Sequence, residues 1–503
     1  MNIATLLDMA AHAAPDRVII GTEDAGLTYA DLWARSNHAA DVFAASAADN
    51  VVFIGTNSPL FAVSLFGSAL SGRPFSPLNY RWADDLLVSA IERQSPALVI
   101  VSDEFASRVR ALDLPDGARI VTGNEISAWS ISSSPHASKP SDTAALALFT
   151  SGTSGAPKIA ELGHDNLSQY VLNSVEFLGA EEGDCQLVAV PPYHIAGVAN
   201  LLSSVYAGRR IVHLTNFDAE DWVELVRTQR VTNAMVVPTM LGRILEVIER
   251  PGQRVPDSLR HLSYGGGRMP LPLIEKAIAL LPDVDFVNGY GLTETSSTIT
   301  LLSPADHVAA LAAAAGSDER ARLGSVGRAL PSVEITVRDT RGLEVEPRSV
   351  GEIWVRGPQV SGRYAGVEDD QQGGWFRTKD AGYLDSEGYL FLHGRLDDVI
   401  VRGGENISPG EVEDVLLDHP AVADVGVFAL PDDEWGETVS AAVVVSPGAT
   451  VTRDELTDWV RQRVRSAKTP TVIEFLEELP YNDAGKLLRR ELPSRLATGQ
   501  VVA

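Results

Sequence analysis

Ala145-Leu-Ala-Leu-Phe-Thr-Ser-Gly-Thr-Ser-Gly-Ala-Pro-Lys158 is an apolar run of strand length that enters a loop of hydroxyls and glycines and closes on a lysine. Glycines let a backbone approach a ligand closely and adopt torsions that other residues avoid. Exposed N–H groups, Ser and Thr hydroxyls and one ammonium together suit a polyphosphate. The spacing is not that of a Walker loop, which needs lysine directly after the second glycine at a helix start. Here Ala156-Pro157 separate Gly155 from Lys158, and Ile159 follows. An isolated run of this kind reads equally as a surface hairpin. The decision therefore falls to the rest of the chain.

A chain of 503 residues exceeds the roughly 100–200 of one domain, so two or more folding units are expected. Hydrophobic content of 45% with 21% charged residues fits a soluble globular protein. The formal net charge of −26 argues against nucleic acid or an anionic membrane as partner. An anionic ligand would need positive potential created locally. Of the basic residues only Lys139, Lys158, Lys276, Lys379, Lys468 and Lys486 are lysines, and two of these close glycine-containing loops. Cys185 stands alone, which excludes an intrachain disulfide and fits a reducing cytosol. The N-terminal Met1-Asn-Ile-Ala-Thr-Leu-Leu-Asp8 lacks a basic region, so no signal peptide is expected. No apolar run approaches the length of a membrane span. A cytoplasmic location is the expectation.

Residues 3–14 read as a short amphipathic helix, followed by short strands at Val18-Ile20 and Leu27-Tyr29. Thr28 is placed to cap a helix from Tyr29 to about Ala44. Apolar runs at 51–54, 97–101 and 118–121 alternate with helical patterns at 59–71 and 83–93, the signature of βα units and a parallel sheet. Asp165 is expected to cap a helix that ends at Gly179. Strand signals at 187–190, 210–214, 234–237 and 284–287 predict a second βα layer. Ala309-Ala315 reads as a helical surface piece. From 333 to 393 short strands and tight turns predict a small β-rich subdomain. Ser408-Pro-Gly-Glu411 and Thr452-Arg-Asp-Glu455 both read as capping boxes. They open helices in a compact C-terminal unit whose boundary is placed at Asp397.

Downstream of the first loop come Asn288-Gly-Tyr-Gly-Leu-Thr-Glu-Thr295, Thr378-Lys-Asp380, Gly394-Arg-Leu-Asp-Asp398 and Gly485-Lys486, in that order. This set resembles the adenylate-forming superfamily of acyl-CoA synthetases, peptide-synthetase adenylation domains and luciferases, and is most like an acyl-CoA synthetase. The resemblance spans about Thr28 to Leu492. It implies an α/β fold. A large N-terminal domain, residues 1–396, would hold two βα-layered sheets and a small β-rich subdomain. A small mobile α+β domain, residues 397–503, would follow. It also implies an ATP-dependent ligase that activates a carboxylic acid as acyl-adenylate and then forms a thioester with CoA, with Mg²⁺ as cofactor.

The site roles that follow belong to the resemblance. Thr150, Ser151, Gly152, Thr153, Ser154, Gly155 and Lys158 would hold the β- and γ-phosphates of ATP. Glu294 would help bind Mg²⁺, an oxygen-preferring cation, and Thr293 the α-phosphate. Tyr290, with Gly265, Gly266, Gly267, Asn288 and Gly291, would form the adenine shelf. Asp380 would accept the ribose hydroxyls, assisted by Arg395. Lys486 would bridge the carboxylate and α-phosphate in the transition state. His194 would stand beside the acyl pocket. Asp397 matches the hinge on which the C-terminal domain turns, bringing Gly403 and Gly404 to line a channel for pantetheine.

Two positions depart from the pattern: Ile159 and Lys379 stand where the family usually has glycine. Both are expected to put a bulky side chain at a turn. The small residues Gly289, Gly291 and Ser296 suggest room for a bulky or cyclic acid. With only Arg268 as a cation in the lining segments, a dicarboxylate is the less expected substrate. A second reading is an adenylating enzyme that loads the phosphopantetheine of a carrier protein in trans. A third is a non-catalytic homologue acting as a binding subunit. The intact Lys486, Glu294, Asp380 and Arg395 oppose the third.

Overall fold

Strands buried on both faces cannot alternate apolar with polar residues, so they appear as unbroken apolar runs. Val51-Ile54 and Ala97-Val101 are such runs, and every residue in them is buried. In the computed structural model, which describes residues 1–127, 143–150, 158–253, 257–367, 371–432, 434–482 and 487–497, they lie in a seven-stranded sheet. Its order is Arg363–Tyr364, Lys158–Gly163, Ala144–Thr150, Phe75–Leu78, Asn50–Ile54, Ala97–Val101, Ala118–Thr122. The last five run parallel, while Lys158–Gly163 returns antiparallel on Ala144–Thr150.

A second sheet of nine strands holds six parallel ones: Val18–Ile20, Arg210–His213, Cys185–Val188, Asn233–Val236, His261–Gly265 and Asp285–Leu292. Helices Ala4–Ala13, Tyr29–Ala45, Pro59–Ser71, His164–Ser174 and Ile195–Ala207 lie between the sheets. One buried cluster unites Leu6, Leu32, Phe66, Leu167 and Leu202 of these helices with Val51 and Leu146 of the first sheet and Ile20 and Ile211 of the second. A separate cluster packs Trp222, Leu241 and Ile274, from helices on the second sheet's other face, against Leu187 and Leu262.

Glu334–Arg338, Gly351–Arg356, Phe376–Leu384 and Leu390–Arg395 form the expected antiparallel subdomain. The C-terminal domain is a five-stranded sheet covered by helices Pro409–Leu417 and Arg453–Arg461, with its own core around Val412, Val427, Ala441 and Leu456. No described helix is long and apolar enough to cross a membrane.

Local signals of capping met mixed outcomes. Thr28 closes a full capping box with Asp31, and Thr452 does so with Glu455. Asp165 does not cap its helix. The helix starts at His164, and Asn166 Oδ1 accepts the Gly163 N–H at 3.1 Å; Asp165 sits one position inside and takes the N-terminal ammonium. That helix also ends early, at Ser174. The Ser408 box is not formed, because both of its side chains have better partners. Ser408 Oγ donates to the His393 carbonyl at 2.8 Å, and Glu411 pairs with Lys468 at 2.7 Å.

These differences can be measured by amide exchange. Thr452→Ala is expected to lower protection across Arg453–Arg461 roughly fivefold, the loss of one cap bond. Ser408→Ala, with no cap bond to lose, should leave Pro409–Leu417 within about twofold of the parent.

Candidate active site

Open α/β sheets bind ligands outside the carboxyl ends of their parallel strands. Five such ends of the second sheet share one edge: Val188, His213, Val236, Gly265 and the 289–292 stretch. His194 follows the first of them, at the N-cap of Ile195–Ala207, its ring centre 4.7 Å from that of Tyr193. Burial holds His213 neutral, its pKa lowered to about 4.

The backbone here is tightly layered. A Cβ on Gly265 would stand 2.3 Å from the Gly289 carbonyl oxygen, and one on Gly291 1.8 Å from that of Ser297. These residues are glycine because another backbone occupies the space, so Gly291 opens no room for a bulky acid. Ser296 opens none either. It is fully buried in a left-handed conformation (φ 57°), and its hydroxyl donates to the Gln359 carbonyl at 2.8 Å. Asn288 is buried, and its amide donates to the Ser325 carbonyl at 3.2 Å.

Asp380 is positioned by an irregularity. Between Gly351–Arg356 and Phe376–Leu384, Glu352 opposes Ala381 and Trp354 opposes Arg377. Thr378, Lys379 and Asp380 therefore bulge out against Ile353 alone. Lys379 takes φ 61°, the left-handed turn that glycine usually supplies. Thr378 Oγ1 donates to the Ile353 carbonyl at 2.8 Å and accepts the Asp380 N–H at 3.0 Å. Bulges re-aim side chains. This one carries the Asp380 carboxylate to Tyr290, whose hydroxyl donates to it at 2.6 Å, and to Arg395, whose Nη1 donates at 2.9 Å. Burial, and then the charge of Asp380, push the Tyr290 phenol well above its usual pKa. Burial alone would lower the pKa of Arg395, but Asp380 more than compensates and raises it. Each Asp380 oxygen keeps acceptor capacity for a further hydroxyl.

Glu294 lies in the one-turn helix Thr293–Thr295 and is mostly buried. Its Oε1 accepts the Tyr364 hydroxyl at 2.5 Å. Lys158 Nζ lies 5.1 Å from the centre of the same Tyr364 ring. Lys158 opens its strand opposite Thr150, whose hydroxyl lies 3.4 Å from the Lys158 carbonyl. Ile159 does not lie at a turn. It is buried inside the strand, paired with Phe149, and so needs no glycine. Ser151, Gly152, Thr153, Ser154, Gly155 and Lys486 lie outside the described residues.

Arg395 ends its strand, and Asp397 sits in the turn Leu396–Asp398 directly after it. Beyond it Gly403 and Gly404, both left-handed (φ 56° and 84°), form the two-residue turn between Ile400–Arg402 and Glu405–Ile407. Arg268 forms an ion pair with Asp414 on Pro409–Leu417, joining the second sheet's edge to the C-terminal domain. Burial raises the Asp414 pKa to about 6, against the opposing pull of Arg268.

Sequence reasoning missed Tyr364 and Gln359. Their only signal was an aromatic between glycines, Gly362-Arg-Tyr-Ala-Gly366, just after a glutamine at a strand exit.

Residues 7–365 match the family described as AMP-binding enzyme, and residues 411–486 match the AMP-binding enzyme C-terminal domain. A fatty acid–[acyl-carrier-protein] ligase of Streptomyces coeruleorubidus is 34% identical, over 96% of this chain and 94% of its own. A 2-succinylbenzoate–CoA ligase of Bacillus licheniformis is 33% identical, over 98% of this chain and 100% of its own. The structure of o-succinylbenzoate CoA synthetase from Bacillus subtilis with its acyl-adenylate intermediate is similar at a TM-score of 0.83 and 31% identity, covering 97% of each chain.

The strain at Lys379 has a measurable consequence. A non-glycine residue in the left-handed region costs about 1–2 kcal/mol, and glycine's extra unfolded-state entropy offsets about 0.5–1 of that. Lys379→Gly is therefore expected to stabilise the fold by about 0.5–1 kcal/mol in urea unfolding. A lower midpoint would show that the bulge is relaxed as it stands.

Proposed function

The chain belongs to the AMP-binding enzyme family, and from that membership we propose that it activates a carboxylic acid with ATP and passes the acyl group to the thiol of CoA. The observation that carries this reading is the Asp380 cradle. A buried carboxylate is held by Tyr290 and Arg395 at the carboxyl-end edge of the second sheet, a diol acceptor beside a phenol face.

In the first step a carboxylate oxygen attacks the α-phosphorus of ATP, and the bond to the β-phosphate oxygen breaks to release pyrophosphate. The nucleophile is already ionised, so no general base is needed. Both reactants are anions, and catalysis rests on positioning and charge neutralisation. Asp380 accepts the ribose hydroxyls, and Arg395 holds Asp380 in place. Tyr290, with the Gly265-Gly-Gly267 and Asn288-Gly291 backbone, flanks the adenine. Lys158 and the 150–155 hydroxyls and amides meet the β- and γ-phosphates, Thr293 the α-phosphate, and Lys486 the pentavalent phosphorus.

The donor set suits Mg²⁺. Glu294 offers a hard oxygen whose second atom, Oε2, has no hydrogen-bond partner among the described residues, and phosphates supply the other ligands. When bound, Mg²⁺ neutralises charge on the departing pyrophosphate.

In the second step the CoA sulfur attacks the acyl carbon, the bond to AMP breaks, and the thiol proton passes to solvent. The C-terminal domain, beginning at Asp397, turns between steps, and Gly403-Gly404 then lines the pantetheine path beside His194. A carrier protein as acceptor is the second reading, favoured by the likeness to the Streptomyces ligase. The lone buried Cys185 fits a cytoplasmic enzyme. The Arg268–Asp414 pair of this domain arrangement supports a monocarboxylic acid as substrate, against the dicarboxylic 2-succinylbenzoate of the Bacillus relative.

The test is pyrophosphate release with ATP, Mg²⁺ and a panel of aryl, aliphatic and dicarboxylic acids, with and without CoA. One acid class should release pyrophosphate and then give a CoA thioester. Release without a CoA product would move the acceptor to a carrier protein, and diacids outperforming monoacids would overturn the substrate class. Lys486→Ala should cut adenylation by at least ~10² and leave transfer from preformed acyl-adenylate nearly unchanged. Equal losses in both steps would remove Lys486 from the role given to it.

A further inference from the structure

An ammonium and a carboxylate brought to one anion site face a difficulty: they neutralise each other unless something separates them. Lys158 and Glu294 are such a pair, and each meets the same third residue. Tyr364 stands between. Its hydroxyl donates to Glu294 Oε1 at 2.5 Å, and its ring centre lies 5.1 Å from Lys158 Nζ. That distance is within cation–π range.

The Tyr364 backbone is anchored to both neighbours. Tyr364 opposes Ala160 in the short strand pairing, two residues beyond Lys158. The amides just before it, Ser361 and Gly362, donate to the Glu294 carbonyl at 2.9 and 3.2 Å, and Ala365 N–H donates to the Ile159 carbonyl at 2.9 Å. Backbone and side chain of one segment thus fix the lysine strand and the glutamate turn together.

We propose that Tyr364 is a positioning residue that keeps Lys158 and Glu294 apart and aimed. The hydroxyl orients the Glu294 carboxylate for the metal, and the ring holds the Lys158 ammonium for the phosphates. The assignment rests on the reading above, in which Lys158 meets the terminal phosphates and Glu294 meets Mg²⁺. The two halves of the side chain carry separable tasks. Tyr364→Phe removes only the hydroxyl; Tyr364→Leu removes hydroxyl and ring.

Binding of a fluorescent methylanthraniloyl-ATP, measured in EDTA and across a Mg²⁺ titration without acid substrate, separates them. For Tyr364→Phe, metal-free affinity should stay within about twofold of the parent while the half-saturating Mg²⁺ concentration rises roughly fivefold or more. Tyr364→Leu should show the same metal shift and lose metal-free affinity by roughly threefold or more. A Phe variant with the parental Mg²⁺ curve, or a Leu variant with parental metal-free affinity, overturns the assignment. So does an equal, metal-independent loss in both variants with a lowered melting temperature, the mark of a structural role. A parent protein that binds no ATP overturns the nucleotide reading itself, and this assignment with it.

Discussion

The site depends on one length of backbone, Gln359 to Ala365, which leaves the β-subdomain between Arg356 and Phe376 and clips two sheets together. Ser361 and Gly362 donate to the Glu294 carbonyl, and Ala365 donates to that of Ile159. Gln359, wholly buried, donates its amide to the Thr295 and Thr298 carbonyls at 3.0 and 2.8 Å. Those carbonyls flank Ser296 and Ser297, both left-handed, so the one amide ties together the two ends of the turn. The strand that begins at Lys158 belongs to the first sheet, and the Glu294 turn adjoins the second. Their relative placement is held by bonds of a third element.

Charge explains why the cations at the site are held individually. A protein with a net charge of −26 repels polyanions at long range. Positive potential has to be concentrated where phosphates arrive, on side chains already constrained. Arg395 is set against Asp380 and the Thr378 carbonyl, and Lys158 over the Tyr364 ring. Each contact leaves donor capacity for a ligand, since a guanidinium carries five N–H groups and an ammonium three.

The domain junction is lighter. Arg268 with Asp414, and Ser408 with the His393 carbonyl, are polar contacts between parts that each have their own core. Polar contacts of this kind are more easily exchanged than apolar ones, and each part keeps its own core on either side of them.

Much of the architecture was legible in the order of residues. Unbroken apolar runs alternating with helical patterns, short strands with tight turns, and capping signals pointed to two βα layers, the β-subdomain and the C-terminal unit, because burial is a local demand on each strand and helix. The sequence also marked Asp380, Arg395, Tyr290, Glu294 and Lys158 as a set, through motifs in a fixed order. The remaining features came from contacts between distant segments. Whether Ser408 caps its helix depended on a carbonyl fifteen residues upstream in another domain, and Glu411 was lost to Lys468. Whether Gly291 and Ser296 open a pocket depended on the backbone of Ser297 and Gln359, which fills the space. Ile159 needed no turn because it is a paired strand residue, whereas Lys379 is bent by a bulge whose register belongs to the opposing strand. Tyr364 acquires its place only when two sheets and a subdomain meet. Local pattern reports what a residue must bury; which atoms compete for its hydrogen bonds and its space is settled only by neighbours distant in sequence.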